Sequence, residues 1–376
     1  MTERRMGFGS INYLEDILKN PSLERVFLVT GKGSYQSSGA KSYLSTLTAN
    51  KTISRFSDFD VNPTFEDLCK GVEQFNAFKP NIIIAIGGGS AIDMGKLINI
   101  ISANPHASVK KMIITPGLIE EKGLSMVAVP TTAGTGSEVT QFAVVYIADK
   151  KYSLDHRFLL PDYYIVDPAL TLNLPSSILA SSAFDALSQA IESFWSVGST
   201  NESKDYSRES IKLILESMEK AVNQKHLPSI ESLCYGANLA GKAINITRTT
   251  APHALSYPLT KRHGIPHGHA VALNLGKFFV INSSFKNNDV IDERGEDYLK
   301  ATMHELFTLF GCCNEFECAD KWYKMMQKVS LETDLKKLGI IKDIDIQEIV
   351  EGVNLERLKN NPVSLSKEIL YALFKK

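Results

Sequence analysis

The chain has 376 residues, of which 44% are hydrophobic and 22% are charged, and its formal net charge is −1. These values are ordinary for a globular protein of about two domains, and they give no electrostatic basis for binding nucleic acid or an anionic membrane. No apolar run approaches the roughly 18 residues of a membrane-spanning helix, and we expect no signal peptide in MTERRMGFGS. The five cysteines form no paired framework, so we expect a cytoplasmic protein.

The first half of the chain alternates short apolar runs with helical patterns. The runs are rich in Val and Ile, and they predict strands at 25–30, 81–86, 125–129, 142–148 and 163–166. Helices are predicted at 66–78 and 91–102. Uninterrupted apolar strands between helices are typical of a parallel sheet that is covered on both faces. We therefore predict an α/β domain here.

The second half has a different pattern, with apolar residues at three- and four-residue spacing. This spacing predicts helices at 182–196, 203–222, 230–245 and 298–310. Strand-like runs are scarce beyond residue 171 or so. We therefore expect two domains, an α/β domain at 1–172 and an all-helical domain at 173–376.

A glycine stretch follows the second predicted strand and precedes a helix: Gly87, Gly88, Gly89 and Ser90. Glycines let backbone N–H groups approach a phosphate closely, and a helix N-terminus adds partial positive charge. Asp93 lies in the first turn of that helix, and Lys96 is expected to reach an anion. The alternative is a tight turn in which Asp93 only complements the helix dipole. The stretch is not the GxGxxG fingerprint of a Rossmann fold.

The loop PTTAGTGSE at 130–138 also leaves a predicted strand. By itself it could be a flexible loop. Ligands of open α/β sheets bind at the carboxyl ends of strands, where both this loop and the glycine stretch are expected. Together the two loops predict one extended cofactor that carries phosphate groups.

A carboxylate and two imidazoles suggest a metal site. His253 and His267 lie fourteen positions apart, and Gly264 and Pro266 between them exclude one continuous helix. Asp185 lies in a predicted amphipathic helix, and the three side chains suit a transition metal that keeps one position open for substrate. The alternative is that Ser182 caps this helix, with Asp185 completing a variant of the capping box.

Five motifs follow one another along the chain: GGGSAIDMGK, PTTAGTGSE, IVDPALT, the helix around Asp185, and HALSYPL…GIPHGHAVAL. Together they resemble the iron-containing (group III) alcohol dehydrogenase family, which shares its fold with glycerol dehydrogenase and dehydroquinate synthase. The resemblance spans about residues 5–310. It implies a dinucleotide-binding domain, a helical domain, a metal ion in the cleft between them, and a homodimer.

The resemblance also assigns residues. Those expected at the cofactor are Gly87, Gly88, Gly89 and Ser90 at the pyrophosphate, with Thr131, Thr132, Thr135 and Lys151 nearby. Those expected at the metal are Asp185, His253 and His267. Relatives usually carry a ligand histidine four residues after the aspartate, but this chain has Gln189 there, whose carboxamide oxygen is a fourth, weak and neutral, candidate ligand. Fe²⁺ and Zn²⁺ are therefore both candidates.

Two further positions differ from many relatives. Tyr257 replaces a histidine of the active-site cleft, and it is expected either to relay a proton to the substrate or to line the pocket. Gly31 stands where NAD-selective relatives carry Asp, and Lys32 follows it. This pair favours NADP(H) over NAD(H), unless Lys32 is merely a solvated loop residue.

Several basic residues lie near the predicted metal ligands, and Arg248, Arg262 and His263 are candidates for binding an anionic substrate. Within the family, the chain looks most like the phosphonoacetaldehyde reductases. We therefore expect an enzyme that reduces phosphonoacetaldehyde to 2-hydroxyethylphosphonate with NAD(P)H. The alternatives are a general alcohol or diol dehydrogenase, in which these basic residues are ordinary surface charges, and a cyclase like dehydroquinate synthase.

Overall fold

The computed structural model describes residues 3–148, 150–286, 289–340, 343–353 and 355–375. The chain forms two compact units, Met1–Leu174 and Pro175–Lys376. The first unit contains strands and helices. Within the described residues, every regular element of the second unit is a helix. In the part of the chain that the structure describes, no helix is both long enough and apolar enough to cross a membrane.

The strands of the first unit are β1 (Glu3–Met6), β2 (Arg25–Thr30), β3 (Thr52–Phe56), β4 (Ile82–Gly87), β5 (Met126–Pro130), β6 (Phe142–Ile147), β7 (Lys150–Asp155) and β8 (Tyr163–Val166). Six of them form a parallel sheet in the order β1-β8-β5-β4-β2-β3. β6 and β7 form a separate antiparallel pair. The α/β prediction is confirmed.

The strand order contains a reversal between β2 and β4. From β2 the chain runs to β3 at one edge of the sheet, and it then returns to β4 on the opposite side of β2. In open α/β sheets such a reversal opens a crevice beyond the carboxyl ends of the two strands. The segments that start at Gly31 and Gly88 leave β2 and β4 at this point.

The helices of the first unit are α1 (Tyr13–Leu18), α2 (Ser34–Ser37), α3 (Ala40–Leu47), α4 (Phe65–Phe78), α5 (Gly89–Ala103) and α6 (Val109–Ile114). Every residue of β4 and β5 is buried, because helices cover both faces of the sheet. α5 packs closely on one face: a Cβ at Gly95 would lie 2.8 Å from the Cβ of Ala85.

The second unit is built from α7 (Ser176–Trp195), α8 (Asn201–Gln224), α9 (Leu227–Thr247), α10 (Ala251–His263), α11 (His267–Ile281), α12 (Gly295–Phe310), α13 (Glu315–Lys328), α14 (Asp343–Glu351) and α15 (Lys367–Lys375). α7 is its central helix, since residues 179–195 are all buried apart from Ser182. A helix buried on all sides must satisfy any polar side chain internally. α7 nevertheless carries Asp185, Gln189 and Glu192, all of them buried.

Candidate metal and cofactor sites

Three helices of the second unit bring Asp185, His253 and His267 together. One ligand atom from each lies within 4.8 Å of the others. Asp185 Oδ1 is 3.2 Å from His253 Nε2 and 3.9 Å from His267 Nε2. The structure thus brings together the carboxylate and the two imidazoles that the sequence singled out.

The break between α10 and α11 aims the two imidazoles at Asp185. α10 ends at His263, where the left-handed backbone of Gly264 (φ 66°) stops the helix, and α11 begins at His267 directly after Pro266. Gly268 then allows α11 to touch α7: a Cβ at this position would lie 2.0 Å from the carbonyl oxygen of Ser181 and 2.7 Å from the Cβ of Asp185. Only glycine fits this approach, which seats His267 beside the carboxylate.

Glu192, beside the candidate metal ligands, was missed by the sequence reasoning. Its side chain is fully buried, and Oε1 accepts hydrogen bonds from Thr250 N (2.9 Å), Thr250 Oγ1 (2.9 Å) and His253 N (3.3 Å). Its other oxygen contacts His253 Nδ1. The signal was present in the sequence, because residues 185, 189 and 192 share one face of a helix at spacings of four and seven.

The electrostatics of the site favour a cation. Burial alone would lower the pKa of His253, but the carboxylates of Glu192 and Asp185 outweigh burial and raise the pKa to about 10. Two buried carboxylates around one imidazole therefore stabilise positive charge here. A divalent ion satisfies the same requirement.

Tyr257 and Ser256 flank His267. The Tyr257 ring stacks on the imidazole, with a centroid distance of 5.8 Å and an interplanar angle of 6°. Ser256 Oγ donates to the carbonyl oxygen of His253 (2.7 Å) and lies 3.3 Å from His267 Nδ1. Because the Ser256 hydroxyl donates its proton to the carbonyl oxygen of His253, its oxygen can only accept a hydrogen bond from His267 Nδ1–H. The lone pair of His267 is then on Nε2, the ring nitrogen that faces Asp185.

The donor set fits a transition metal. Two imidazole nitrogens and a carboxylate oxygen, close enough to share one ion, suit Zn²⁺ or Fe²⁺ and leave a coordination position open. Gln189 is buried one turn beyond Asp185 on the same helix. The capping alternative for Asp185 is wrong, because α7 begins at Ser176 and Ser182 lies in its interior.

The first unit gathers the predicted cofactor residues at the reversal of the sheet. A Cβ at Gly87 would lie 3.4 Å from Gly31 N, so the segments that follow β2 and β4 are in contact. A Cβ at Gly88 would lie 3.5 Å from Thr132 Cγ2, and a Cβ at Gly89 would lie 2.9 Å from Thr135 Oγ1. The glycine stretch and the threonine loop therefore form one cradle, and glycines let backbone N–H groups approach a phosphate closely.

Four other predicted cofactor residues are described by their burial and hydrogen bonds. Asp93 is buried and accepts a hydrogen bond from Val144 N (3.0 Å), while Ser90 Oγ accepts one from Asn62 N (3.4 Å). Thr131 is buried and donates its backbone N–H to the carbonyl oxygen of Gly87 (2.9 Å). Lys151 lies in β7 and is partly buried.

Lys96 is buried and bound to protein oxygens, so it does not face an outside anion, contrary to expectation. It is 1% exposed, and Nζ donates to Thr140 O (2.7 Å), Thr140 Oγ1 (3.1 Å) and Phe142 O (3.0 Å). Burial lowers its pKa to about 8, against the opposing effect of Asp93 and Glu138. Burial likewise raises the pKa of Asp93. This cluster ties α5 to the segment that leads into β6.

Two cations lie where β2 and β3 end. Lys32 Nζ is 2.8 Å from Asp60 Oδ1, and both side chains are exposed. Arg55, which the sequence reasoning missed, donates to Thr30 Oγ1 (2.8 Å) and to the carbonyl oxygen of Gly31 (3.4 Å). Its guanidinium also lies 4.8 Å from the centroid of the Tyr35 ring.

The predicted substrate cations have protein contacts. The Arg248 guanidinium donates to the carbonyl oxygens of Ile244 (3.3 Å) and Asn245, at the end of its own helix. Arg262 forms an ion pair with Glu348. His263 is the partly buried last residue of α10.

Comparison with known proteins is consistent with this geometry. The family model described as "Iron-containing alcohol dehydrogenase" matches residues 2–168, and "Fe-containing alcohol dehydrogenase family, C-terminal" matches residues 179–376.

Two curated relatives and one solved structure illustrate the similarity. Aldehyde-alcohol dehydrogenase 2 of Entamoeba histolytica is 31% identical over 71% of this chain, and the match spans 32% of that longer protein. Phosphonoacetaldehyde reductase of Streptomyces viridochromogenes is 32% identical, covering 63% of this chain and 62% of the relative. The crystal structure of sulfoacetaldehyde reductase from Bifidobacterium kashiwanohense, in complex with NAD+, has a TM-score of 0.88 at 30% identity and covers 100% of this chain and 96% of its own.

Proposed function

The chain belongs to the iron-containing alcohol dehydrogenase family, and we propose that it reduces a small aldehyde to a primary alcohol with NAD(P)H. The observation that carries the proposal is the meeting of Asp185, His253 and His267 within 4.8 Å. These residues would hold Fe²⁺ or Zn²⁺, and the cradle of Gly87–Gly89 with Thr132 and Thr135 would hold the dinucleotide pyrophosphate.

When bound, the ion supplies Lewis-acid polarisation of a carbonyl group and the dinucleotide supplies hydride. The chain's own contribution starts with the ligands, of which Asp185 and His253 are buried, because fixed positions avoid reorganisation during the reaction. Tyr257, whose ring stacks on His267, would give a proton to the product oxygen. We assign Tyr257 this role.

For the substrate we propose phosphonoacetaldehyde. Two similar proteins are reductases of aldehydes that carry an anionic head, a phosphonate in one and a sulfonate in the other. Arg262 and His263 end α10, the helix that carries His253 and Tyr257. The Arg262–Glu348 pair is nearly half exposed and is therefore worth about 0–1 kcal/mol, so a dianionic substrate can compete for the guanidinium.

A general alcohol dehydrogenase is the second candidate, and the contacts of Arg248 favour it. This guanidinium is used at the end of α9, where it donates to the carbonyl oxygens of Ile244 and Asn245. If Arg262 also keeps its carboxylate partner during turnover, the substrate is neutral.

Steady-state kinetics with NADPH separate the two candidates. We expect kcat/KM for phosphonoacetaldehyde to exceed that for propanal by more than tenfold, or about 1.4 kcal/mol. Arg262→Gln should raise KM for the phosphonate and leave propanal unchanged. The matched control is Arg208→Gln, which breaks another ion pair of the second unit, with Glu305, and should change neither.

Equal kcat/KM values for phosphonoacetaldehyde and propanal would reject the phosphonate as the preferred substrate and would favour a general alcohol dehydrogenase. Alcohol formed in equal amount to the NADPH consumed would exclude the cyclase alternative, in which the cofactor shows no net turnover. A cytoplasmic location and a homodimer also belong to this proposal, and the molar mass in solution tests the homodimer.

A further inference from the structure

Glu192 is a buried charge in an apolar helix, and a charge in that position needs a reason. Its side chain is 0% exposed, and removing a carboxylate from water costs several kcal/mol unless partners replace the lost hydration. The partners fall into two groups, one for each carboxylate oxygen.

The first oxygen serves the start of α10. Oε1 accepts from the N–H of Thr250, the hydroxyl of Thr250 and the N–H of His253. These N–H groups are among the ones that a helix start leaves without an intrahelical acceptor, and a carboxylate is favoured there. The Thr250 hydroxyl in turn accepts from Trp195 Nε1 at 3.0 Å, which anchors the arrangement in the core.

The second oxygen serves the imidazole. Oε2 contacts His253 Nδ1, while Nε2 of the same ring lies 3.2 Å from Asp185 Oδ1. A carboxylate only accepts hydrogen bonds, so the Nδ1 position must carry the proton. Nε2 faces the second carboxylate, Asp185, and a divalent ion bound between them would take the place of a proton on Nε2.

We infer that Glu192 is a positioning residue, which fixes the ring orientation and the Nδ1–H tautomer of His253 so that Nε2 binds the metal. Carboxylates that hold a metal-binding histidine in this way strengthen binding 10–100-fold in other metalloproteins. The inference rests on the metal centre of the proposed function.

The imidazole of His267 is held in a similar way, but by a neutral hydroxyl group instead of a carboxylate. His267 Nδ1 is held by Ser256 Oγ at 3.3 Å, and its Nε2 also faces Asp185. Both rings therefore present the same nitrogen to one point. The Glu192 carboxylate contacts His253, which is the more buried of the two rings.

The Glu192→Gln variant tests the inference with Co²⁺ as the probe. The amide oxygen can keep the contacts at the start of α10, while the amide NH₂ faces Nδ1 and drives the imidazole proton to Nε2, the metal-binding atom. We expect Co²⁺ to bind 10–100-fold more weakly, measured by competition with a chelator, and the visible absorption bands of bound Co²⁺ to shift.

The Thr250→Val variant is the matched control. It removes the hydroxyl between Trp195 and Glu192 but leaves the contact with His253 Nδ1, so it should lower the melting temperature and change Co²⁺ affinity less than threefold. An equal loss of affinity in both variants would reduce Glu192 to a helix cap and overturn the inference. Unchanged affinity in Glu192→Gln would overturn it too, whereas a wild-type chain that binds no Co²⁺ contradicts the metal centre itself.

A measurement on the wild-type chain does not depend on how the variants fold. In the Zn²⁺-loaded protein with ¹⁵N-labelled histidine, long-range ¹H–¹⁵N spectra should show His253 protonated at Nδ1 and bound through Nε2. Zinc bound through Nδ1 would overturn the inference.

Discussion

At the scale of single residues, the donor set predicts what each histidine of α11 contributes. His267 supplies one of three donors, whereas His269, two residues later, uses its Nε2 to contact the carbonyl oxygen of Glu332 at 2.7 Å. His267→Ala should therefore remove most of the bound metal and nearly all turnover. His269→Gln is the control and should retain the metal. Metal content by mass spectrometry checks both, and full retention in His267→Ala would contradict the assignment.

Arg55 should decide between the two nucleotides more strongly than Lys32 does. Arg55 donates a hydrogen bond to the carbonyl oxygen of Gly31, and its guanidinium lies over the Tyr35 ring. Lys32, by contrast, is exposed and forms an ion pair with Asp60. A charge-assisted hydrogen bond contributes about 1.5–3 kcal/mol, or roughly 10–100-fold in affinity. Arg55→Gln should weaken NADPH by about this factor and spare NADH.

Lys32→Gln serves as the comparison for Arg55→Gln. We expect it to change the ratio of the NADPH and NADH dissociation constants about twofold. Dissociation constants from nucleotide fluorescence give both ratios. If Arg55→Gln leaves the ratio unchanged, the adenosine ribose does not lie at Gly31, and the basis for preferring NADP(H) is removed.

Sequence reasoning singled out Asp185, His253 and His267, which the structure brings together, because each is polar in an apolar or helix-breaking context. It missed Glu192 because a carboxylate in a helix is usually a surface charge, and only the packing shows that α7 is covered on every side. It assigned Lys96 to an anion for a related reason: a buried lysine can be satisfied by carbonyl oxygens from a segment more than forty residues away, which no local pattern reveals.

At the scale of elements, the apolar pattern identified β2, β4, β5, β6 and β8, and it missed β1, β3 and β7. β4 and β5 are apolar throughout and β2 has an apolar centre, and all three were predicted to within one residue at each end. β1 and β3 lie at the sheet edges and are mostly exposed, so ERRM and TISRF carry too little apolar signal. Because β3 was missed, so was Arg55, which it carries.

The contact between α7 and α11 predicts the effect of Gly268→Ala. The added methyl group would lie 2.0 Å from a backbone oxygen of α7, so the helices must separate before it fits. Overpacking of this kind costs about 1–3 kcal/mol, and the separation should carry His267 away from Asp185. We expect lower stability and at least tenfold weaker Co²⁺ binding.

Gly264→Ala is the control for Gly268→Ala within the same segment. Its Cβ would meet no atom within 4 Å, although the left-handed backbone makes alanine unfavourable there. It should lower the melting temperature without a comparable loss of Co²⁺ affinity. Equal affinity losses in the two variants would mean that helix stability, and not the approach of α11 to α7, governs the metal centre.

At the scale of the whole molecule, the two proposed ligands are held by different compact units. The three metal donors lie within Pro175–Lys376, whereas the cradle of Gly87–Gly89 and the threonine loop lies within Met1–Leu174. A ligand stabilises the structure that binds it by about 2.7 kcal/mol at a concentration one hundred times its dissociation constant. The stabilisation should appear first in the elements that contact the ligand, since local opening has its own free energy.

Hydrogen exchange of the full-length chain should therefore separate the two effects. Removal of metal with a chelator should increase exchange in α7, α10 and α11, where the donors and Glu192 lie, and should leave β2 and β4 protected. NADPH should protect the segments after β2 and β4 even in the chelated protein. If chelation exposed β4 as much as α7, metal would stabilise the chain globally, and the proposed local centre of three helices would not account for its effect.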